Sequence, residues 1–212
     1  EGLLKPKSVY RAGVAFLIIG AAIGGYFVFT DGFTIAVILG FAILSIYFYS
    51  TKIVDSGLGE FFVAVKGSMI VIGTVFIQSG EITFESILAG IIVGSLSSLV
   101  LFIVSFPDHD ADKSKGRKTL VIVVGKQNAV KLFWVFPLIS YCAILIGVAL
   151  ELFPIISLIS FIGIPLMIKS GLGLKKNYDS VDELVPYMAS TLMFSRITGV
   201  LFVISFLIPL LQ

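Results

Sequence analysis

The sequence has few charged residues and almost no side chains that bind soft metals. Of its 212 residues, 13% are charged, and there is one cysteine and one histidine. A soluble domain carries roughly 25% charged residues, so we exclude a soluble enzyme and a disordered chain. One cysteine excludes an internal disulfide, and one cysteine with one histidine excludes a His/Cys zinc site. The net charge of +2 is too small to indicate a nucleic-acid partner.

Apolar runs fill most of the chain instead. Hydrophobic residues make up 58% of the sequence, and the mean hydropathy is +1.09. A transmembrane helix needs about 20 apolar residues, which predicts seven spans at roughly 10–29, 33–50, 61–79, 85–106, 132–150, 153–168 and 187–211. We therefore predict an all-α protein, a polytopic transmembrane helical bundle that forms a single domain over residues 1–212.

Basic residues lie on alternate connections only. They precede the first predicted span and occur in the segments near 51–60, 107–128 and 169–186, whereas the connections near 31, 80–85 and 151 contain no lysine or arginine. The positive-inside rule places the basic segments in the cytoplasm. These are also the long, polar connections, so we expect a multi-pass protein of the cell membrane whose active site faces the cytoplasm.

The connection after the fourth span contains two aspartates at helical spacing. Asp108 and Asp112 are four residues apart, so a helix following Pro107 places both carboxylates on one face, and Gly116 is a natural end for that helix. Paired carboxylates at a membrane surface suit Mg²⁺, which also binds water and substrate phosphates. The alternative is a solvated juxtamembrane loop whose aspartates only balance the basic residues, and the spacing alone does not decide between the two.

The amino-acid sequence of this segment resembles a motif of a known family. Residues 106–126 read FPDHDADKSKGRKTLVIVVGK, which resembles the second aspartate-rich motif of the UbiA superfamily of intramembrane prenyltransferases. The sequences GLGE at 57–60, GT at 73–74 and QSG at 78–80 resemble the branch that prenylates 1,4-dihydroxy-2-naphthoate in quinone biosynthesis. The resemblance covers essentially the whole chain.

The resemblance implies an enzyme and a site. It implies transfer of a prenyl group from an isoprenyl diphosphate to an aromatic acceptor in the bilayer, with Mg²⁺ as cofactor and Asp108 and Asp112 as catalytic metal ligands. Tyr49, Lys52, Lys66 and Lys118 are the expected substrate-binding residues for the diphosphate. For Tyr49 and Lys52 the alternative is an aromatic belt with a lysine that sets topology, and for Lys66 it is a lysine that reaches the membrane surface. Glu60 either orients a base or caps the following helix.

The sequence also departs from the family pattern. The family has nine spans and a first motif of the form Asn-x-x-x-Asp-x-x-x-Asp, which is absent here, and the chain begins with Glu1. We therefore expect seven of the nine helices, with the N-terminal helices of the same protein missing from this chain. A glycerol-phosphate lipid acceptor is one alternative function, and a non-catalytic lipid-binding or transport protein is another. A transporter is disfavoured because it needs polar residues along a path at mid-membrane, and the spans have no charged residue there apart from Lys66 and Arg196.

Overall fold

A computed structural model describes residues 5–49 and 54–208 of the chain. Over these residues the structure is helical and has no strand. Its α-helices are α1 (Pro6–Asp31), α2 (Phe33–Phe48), α3 (Gly59–Ser79), α4 (Phe84–Val104), α5 (His109–Ser114), α6 (Leu120–Val124), α7 (Lys126–Leu132), α8 (Val135–Ala149), α9 (Ile164–Asn177) and α10 (Val181–Leu207). Short 3-10 segments cover Val54–Ser56 and Ile155–Gly163.

The long helices confirm the predicted transmembrane bundle. Within the described residues, six helical stretches are long and apolar enough to cross a membrane, and α2 is a shorter apolar helix. The fourth of these six stretches, Lys126–Ala149, includes α7 and α8, and the fifth, Ile155–Asn177, consists of the 3-10 segment and α9. Each of the seven predicted spans therefore corresponds to one helical stretch, because 20 apolar residues in a row leave the backbone no other way to satisfy its hydrogen bonds in lipid.

Helix α4 forms the centre of the bundle. It contacts α3, α8 and α10, and it buries large side chains such as Ile92, Leu99 and Phe102. In contrast, α1 has no buried residue and packs on α2. An apolar helix with an exposed surface is compatible with contact with lipid tails, which are as apolar as its side chains.

Small residues bring α3 and α4 into close contact. A Cβ atom on Gly94 would lie 2.3 Å from the Ala64 carbonyl oxygen, and one on Gly67 would lie 2.9 Å from the Gly94 Cα. At the same crossing, the Ser68 hydroxyl donates a 2.9 Å hydrogen bond to the Gly90 carbonyl oxygen. Close backbone approach through small residues is a common way of joining helices in membranes. It holds the start of α3 against the end of α4, where the candidate site lies.

The connection predicted at 169–186 is much shorter in the structure. Helix α9 continues to Asn177 and α10 begins at Val181, so only residues 178–180 separate them. The lysines at 169, 175 and 176 show where the chain becomes polar, and the prediction ended the span there. A helix can continue through polar residues, however, so the end of the apolar run is not the end of α9. Tertiary packing extends α9 instead, because Gly171 lies against Trp134 and Gly173 lies against Tyr187. Similarly, the segment near 107–128 consists mostly of the short helices α5 and α6 and the start of α7.

Candidate active site

Asp108 and Asp112 lie one turn apart at the start of α5, as the sequence predicts. Asp108 is the N-cap residue of α5, and the Asp112 N–H donates a 2.8 Å hydrogen bond to the Asp108 carbonyl oxygen. Gly116, at φ 77°, follows the end of the helix, and its N–H bonds the Lys113 carbonyl oxygen at 3.1 Å. The turn after α4 thus presents two carboxylates on the same side of one short helix.

Arg117 accompanies this pair. Its Nη1 lies 3.1 Å from Asp112 Oδ1, and the Asp112 side chain is only 15% exposed. The backbone N–H of Arg117 also donates a 3.0 Å hydrogen bond to the Asp112 carbonyl oxygen. Two bonds between the same residues fix the guanidinium beside the carboxylates, where it can meet a further anion.

The third aspartate of the segment faces another way. Asp110 Oδ1 lies 2.7 Å from His109 Nδ1, and Asp110 Oδ2 lies 4.0 Å from Lys126 Nζ. The hydrogen bond from His109, helped by the positive charge of Lys126, holds the pKa of Asp110 below its usual value. Lys126 also lies 3.5 Å from Asp179, so Asp110 belongs to an exposed charge cluster outside the Asp108 and Asp112 pair.

A cavity of about 230 Å³ lies beside the two aspartates. Helix α3 contributes Gly59 and Glu60 to its wall, and the end of α4 contributes Leu101, Val104 and Ser105. Tyr49, Asp108, Asp112, Arg117 and Thr119 complete the lining. The site therefore combines two carboxylates, one guanidinium and several hydroxyl groups with an apolar wall, a combination suited to a ligand with a charged end and an apolar body.

Glu60 is buried in this wall. It is 4% exposed, and the backbone N–H groups of Glu60 and Leu120 contact its carboxylate. The Ser98 hydroxyl of α4 donates a hydrogen bond to the Glu60 carbonyl oxygen, which ties the start of α3 to the middle of α4. The predicted capping role is thus part of the observed arrangement, since a carboxylate near the first N–H groups of a helix is favourable.

Comparison with known proteins assigns the family. The profile of the UbiA prenyltransferase family matches residues 1–194. The chain belongs to the UbiA prenyltransferase family. A curated relative, the 1,4-dihydroxy-2-naphthoate octaprenyltransferase of Bacillus subtilis (strain 168), is 32% identical over 133 residues, which cover 61% of this chain and 43% of the relative. The matched segment thus spans less than half of that relative's length. No solved structure matches the chain.

Membership of the UbiA family and the six apolar helices together establish an integral multi-pass membrane protein. The α4–α5 turn with its two aspartates is the part that resembles the second aspartate-rich motif of this family. The predicted family is therefore confirmed, and the predicted all-α transmembrane bundle is the observed fold.

The predicted substrate-binding residues occupy different places. Tyr49 lines the cavity beside the aspartates and also a second cavity of about 170 Å³ that Lys66 lines with Ser45 and Phe62. Lys118 is exposed and does not belong to the described lining of the aspartate cavity, whereas its neighbour Arg117 does. Lys52 lies outside the described residues. The structure thus brings Tyr49 to the aspartates and puts Lys66 in an adjoining cavity.

The two aspartates supply some of the oxygen ligands that a hard cation such as Mg²⁺ needs. Asp108 and Asp112 supply oxygen ligands, and no group of three or more His, Cys, Asp or Glu residues in the described part of the chain is arranged to hold a metal. Mg²⁺ takes only one or two protein carboxylates and fills its other positions with water and substrate phosphates. The pair therefore fits Mg²⁺ bound together with a phosphorylated substrate.

Sequence reasoning overlooked one lining residue of this cavity in particular. The sequence predicts that basic residues just after α5, Lys118 above all, meet the substrate, but it does not point to Thr119, which lines the cavity. The run of Arg117, Lys118 and Thr119 contains three polar neighbours, and nothing in their order tells which of them turns inward. For Arg117 that choice depends on its two hydrogen bonds to Asp112.

Proposed function

We propose that the protein of which this chain is part transfers a prenyl group from an isoprenyl diphosphate to an aromatic acceptor, a precursor of a membrane quinone. The observation that carries the proposal is the cavity in which Asp108, Asp112 and Arg117 come together at the end of α4. Membership of the UbiA prenyltransferase family supports the reaction class. The name of the Bacillus subtilis relative supports a naphthoate acceptor.

In this proposal the charged residues act on the diphosphate. Asp108 and Asp112 would hold Mg²⁺, which when bound would supply positive charge against the leaving diphosphate. Arg117, whose Nη1 lies 3.1 Å from Asp112 Oδ1, donates hydrogen bonds to oxygen atoms of the diphosphate. Preorganised positive charge at a leaving group is among the largest contributions to catalysis.

The apolar part of the site serves the prenyl group. An electron-rich ring of the acceptor attacks the allylic carbon, and the diphosphate leaves with the electrons of the carbon–oxygen bond. The attacking ring carbon then loses a proton, or carbon dioxide where it carries a carboxylate, and the bonding electrons that remain restore the aromatic ring. Leu101 and Val104 line the cavity on the side of the bundle. Their apolar side chains exclude water from the cationic allylic group, which water would otherwise trap.

We also propose that the site opens to the cytoplasm. Four helices, α1 to α4, separate the site from the basic residues before α1. If each of them crosses the membrane, both ends lie on one side, and Lys113, Lys115 and Arg117 adjoin the site in sequence. The connections at the opposite ends of the helices lack lysine and arginine, as the positive-inside rule requires of an outer face.

The test uses the full-length protein in detergent or liposomes, with a labelled isoprenyl diphosphate and 1,4-dihydroxy-2-naphthoate. We expect diphosphate release and prenylated product with Mg²⁺ and neither with EDTA. Asp108→Asn and Asp112→Asn should each lower kcat by at least about 100-fold, comparable with the loss of one transition-state donor. Asp110→Asn is the matched control, because Asp110 has the same chemistry on another face of α5 and should keep most of the activity.

Three outcomes would contradict the proposal in whole or in part. Transfer that survives both Asp108→Asn and Asp112→Asn would exclude these residues as the metal ligands. Lipid binding without diphosphate release would instead indicate a non-catalytic carrier. Transfer to a glycerol-phosphate lipid in place of the naphthoate would keep the metal site and change the acceptor class.

A further inference from the structure

Two buried polar atoms in the cavity wall have no hydrogen-bond partner. Oε1 of Glu60 and Oγ1 of Thr119 are both inaccessible to solvent and unpaired among the described residues. An unpaired polar atom in an apolar setting is unfavourable, and an unpaired carboxylate oxygen is more so than a hydroxyl group. Natural structures therefore rarely keep such atoms in one place without a use for them.

Neither atom accepts a hydrogen bond from the N-terminal N–H groups of the helix next to it. The backbone N–H groups of Glu60 and Leu120 contact the Glu60 carboxylate, yet Oε1 remains unpaired. Thr119 is the N-cap residue of α6, a position where a threonine hydroxyl usually accepts a backbone N–H, but its side chain makes no such bond. Helix capping thus leaves one oxygen atom of each residue without a hydrogen-bond partner.

The residues that carry the two atoms line one cavity with an apolar wall. Glu60 and Thr119 line the same space as Leu101 and Val104, and the volume of about 230 Å³ is smaller than that of most drug-sized ligand sites. Beside the diphosphate and the allylic carbon, such a space has room for a compact ring but not for a whole prenyl chain. A carboxylate oxygen accepts hydrogen bonds but repels anions, so Glu60 selects a hydroxyl donor and disfavours a phosphate.

We propose that Glu60 and Thr119 bind a hydroxyl group of the aromatic acceptor, with Glu60 accepting its hydrogen bond and Thr119 completing the contact. This inference rests on the function proposed above and assigns the acceptor end of the same site. Arg117 and the aspartates receive the diphosphate, and Glu60 holds the ring beside them. A hydrogen bond from the ring hydroxyl to a carboxylate also increases the electron density of the ring, which favours attack on the allylic carbon.

The test separates the two substrates. Binding of 1,4-dihydroxy-2-naphthoate to the full-length protein is measured under argon by fluorescence quenching, and the KM values of naphthoate and isoprenyl diphosphate are measured in parallel. Glu60→Gln keeps the size of the side chain and removes the charge. It should weaken naphthoate binding about 10- to 100-fold, the range for a hydrogen bond to a charged group, and change the KM of isoprenyl diphosphate less than about threefold.

Matched variants control for folding. Glu85→Gln changes another glutamate in the first turn of a spanning helix, far from the cavity lining, and should bind naphthoate like the wild type. Thr119→Val should weaken naphthoate binding about 2- to 10-fold, as expected for a neutral hydrogen bond. Thr119→Ser retains the hydroxyl group and should restore most of the affinity, which a purely structural role of the threonine methyl group would not allow.

The results that overturn this inference differ from those that overturn the proposed function. Unchanged naphthoate binding in both Glu60→Gln and Thr119→Val, equal weakening of both substrates, or no naphthoate binding by the wild type would exclude the acceptor site. Loss of metal-dependent transfer with intact, Glu60-dependent naphthoate binding would instead refute the reaction and leave the binding site standing.

Discussion

Substitution of Gly94 by alanine is expected to push α3 away from α4 and destabilise the protein. The new Cβ would lie 2.3 Å from the Ala64 carbonyl oxygen, whereas ordinary contacts begin at 3.4 Å, so the helices must separate by about 1.1 Å at this point. The obstacle is backbone, which cannot rotate away as a side chain does. Overpacking of this kind costs about 1–3 kcal/mol.

Gly199→Ala in α10 is the matched control. Nothing lies within 4 Å of a Cβ at Gly199, and both variants gain the same helix propensity, about 1 kcal/mol over glycine. The difference between the two variants therefore isolates the cost of the clash. For a protein of this size, 1–3 kcal/mol corresponds to about 2–12 °C in Tm.

The assay is thermal unfolding of full-length wild type, Gly94→Ala and Gly199→Ala in the same detergent, with prenyl transfer measured below the transition. Gly94→Ala should melt lower than Gly199→Ala and lose activity, because Ser98, one turn further along α4, hydrogen-bonds the Glu60 carbonyl oxygen. A Gly94→Ala variant that melts with or above Gly199→Ala would refute the close packing of α3 on α4.

Three other substitutions test the charges around α5. Arg117→Gln should raise the KM of isoprenyl diphosphate about tenfold, as expected for the loss of one charge-assisted hydrogen bond. Lys118→Gln should raise this KM less than about twofold, because the Lys118 side chain lies outside the cavity lining. A larger effect of Lys118→Gln would instead favour Lys118 as the diphosphate-binding residue, as the sequence predicts. The hydrogen bond from His109 lowers the pKa of Asp110 in the folded protein. Its stabilising effect is therefore complete above the ordinary carboxyl pKa of about 3.9, and it is lost as the pH falls through the lowered pKa of the folded protein. The Tm difference between wild type and Asp110→Asn should therefore be larger at pH 7 than near pH 3, and a difference independent of pH would contradict the contact.

Most of the fold was predictable because it follows from apolar length. Each run of about 20 apolar residues becomes a helix in lipid whatever its neighbours are. The ends of the helices were less predictable. Helix α9 continues past Lys169 to Asn177, because contacts of Gly171 and Gly173 with two aromatic rings extend it, and such contacts join residues distant in sequence.

The candidate site was predictable where its residues are close in sequence. The spacing of Asp108 and Asp112 places both carboxylates on one face through helix geometry alone. The inward turn of Arg117 and the outward turn of Lys118 were not predictable, since the two are adjacent and equally basic. Their orientation depends on the two bonds that Arg117 makes to Asp112.

The sequence by itself determined the family, the all-α membrane bundle and the paired aspartates, because hydropathy and helical periodicity act over neighbouring residues. Only the tertiary structure decided that Glu60 and Thr119, 59 positions apart in the chain, line one cavity with Asp108 and Asp112. The crossing of α3 and α4 at Gly67 and Gly94 brings them together. Close approach of two backbones is a property of the pair of helices, and neither helix shows it alone.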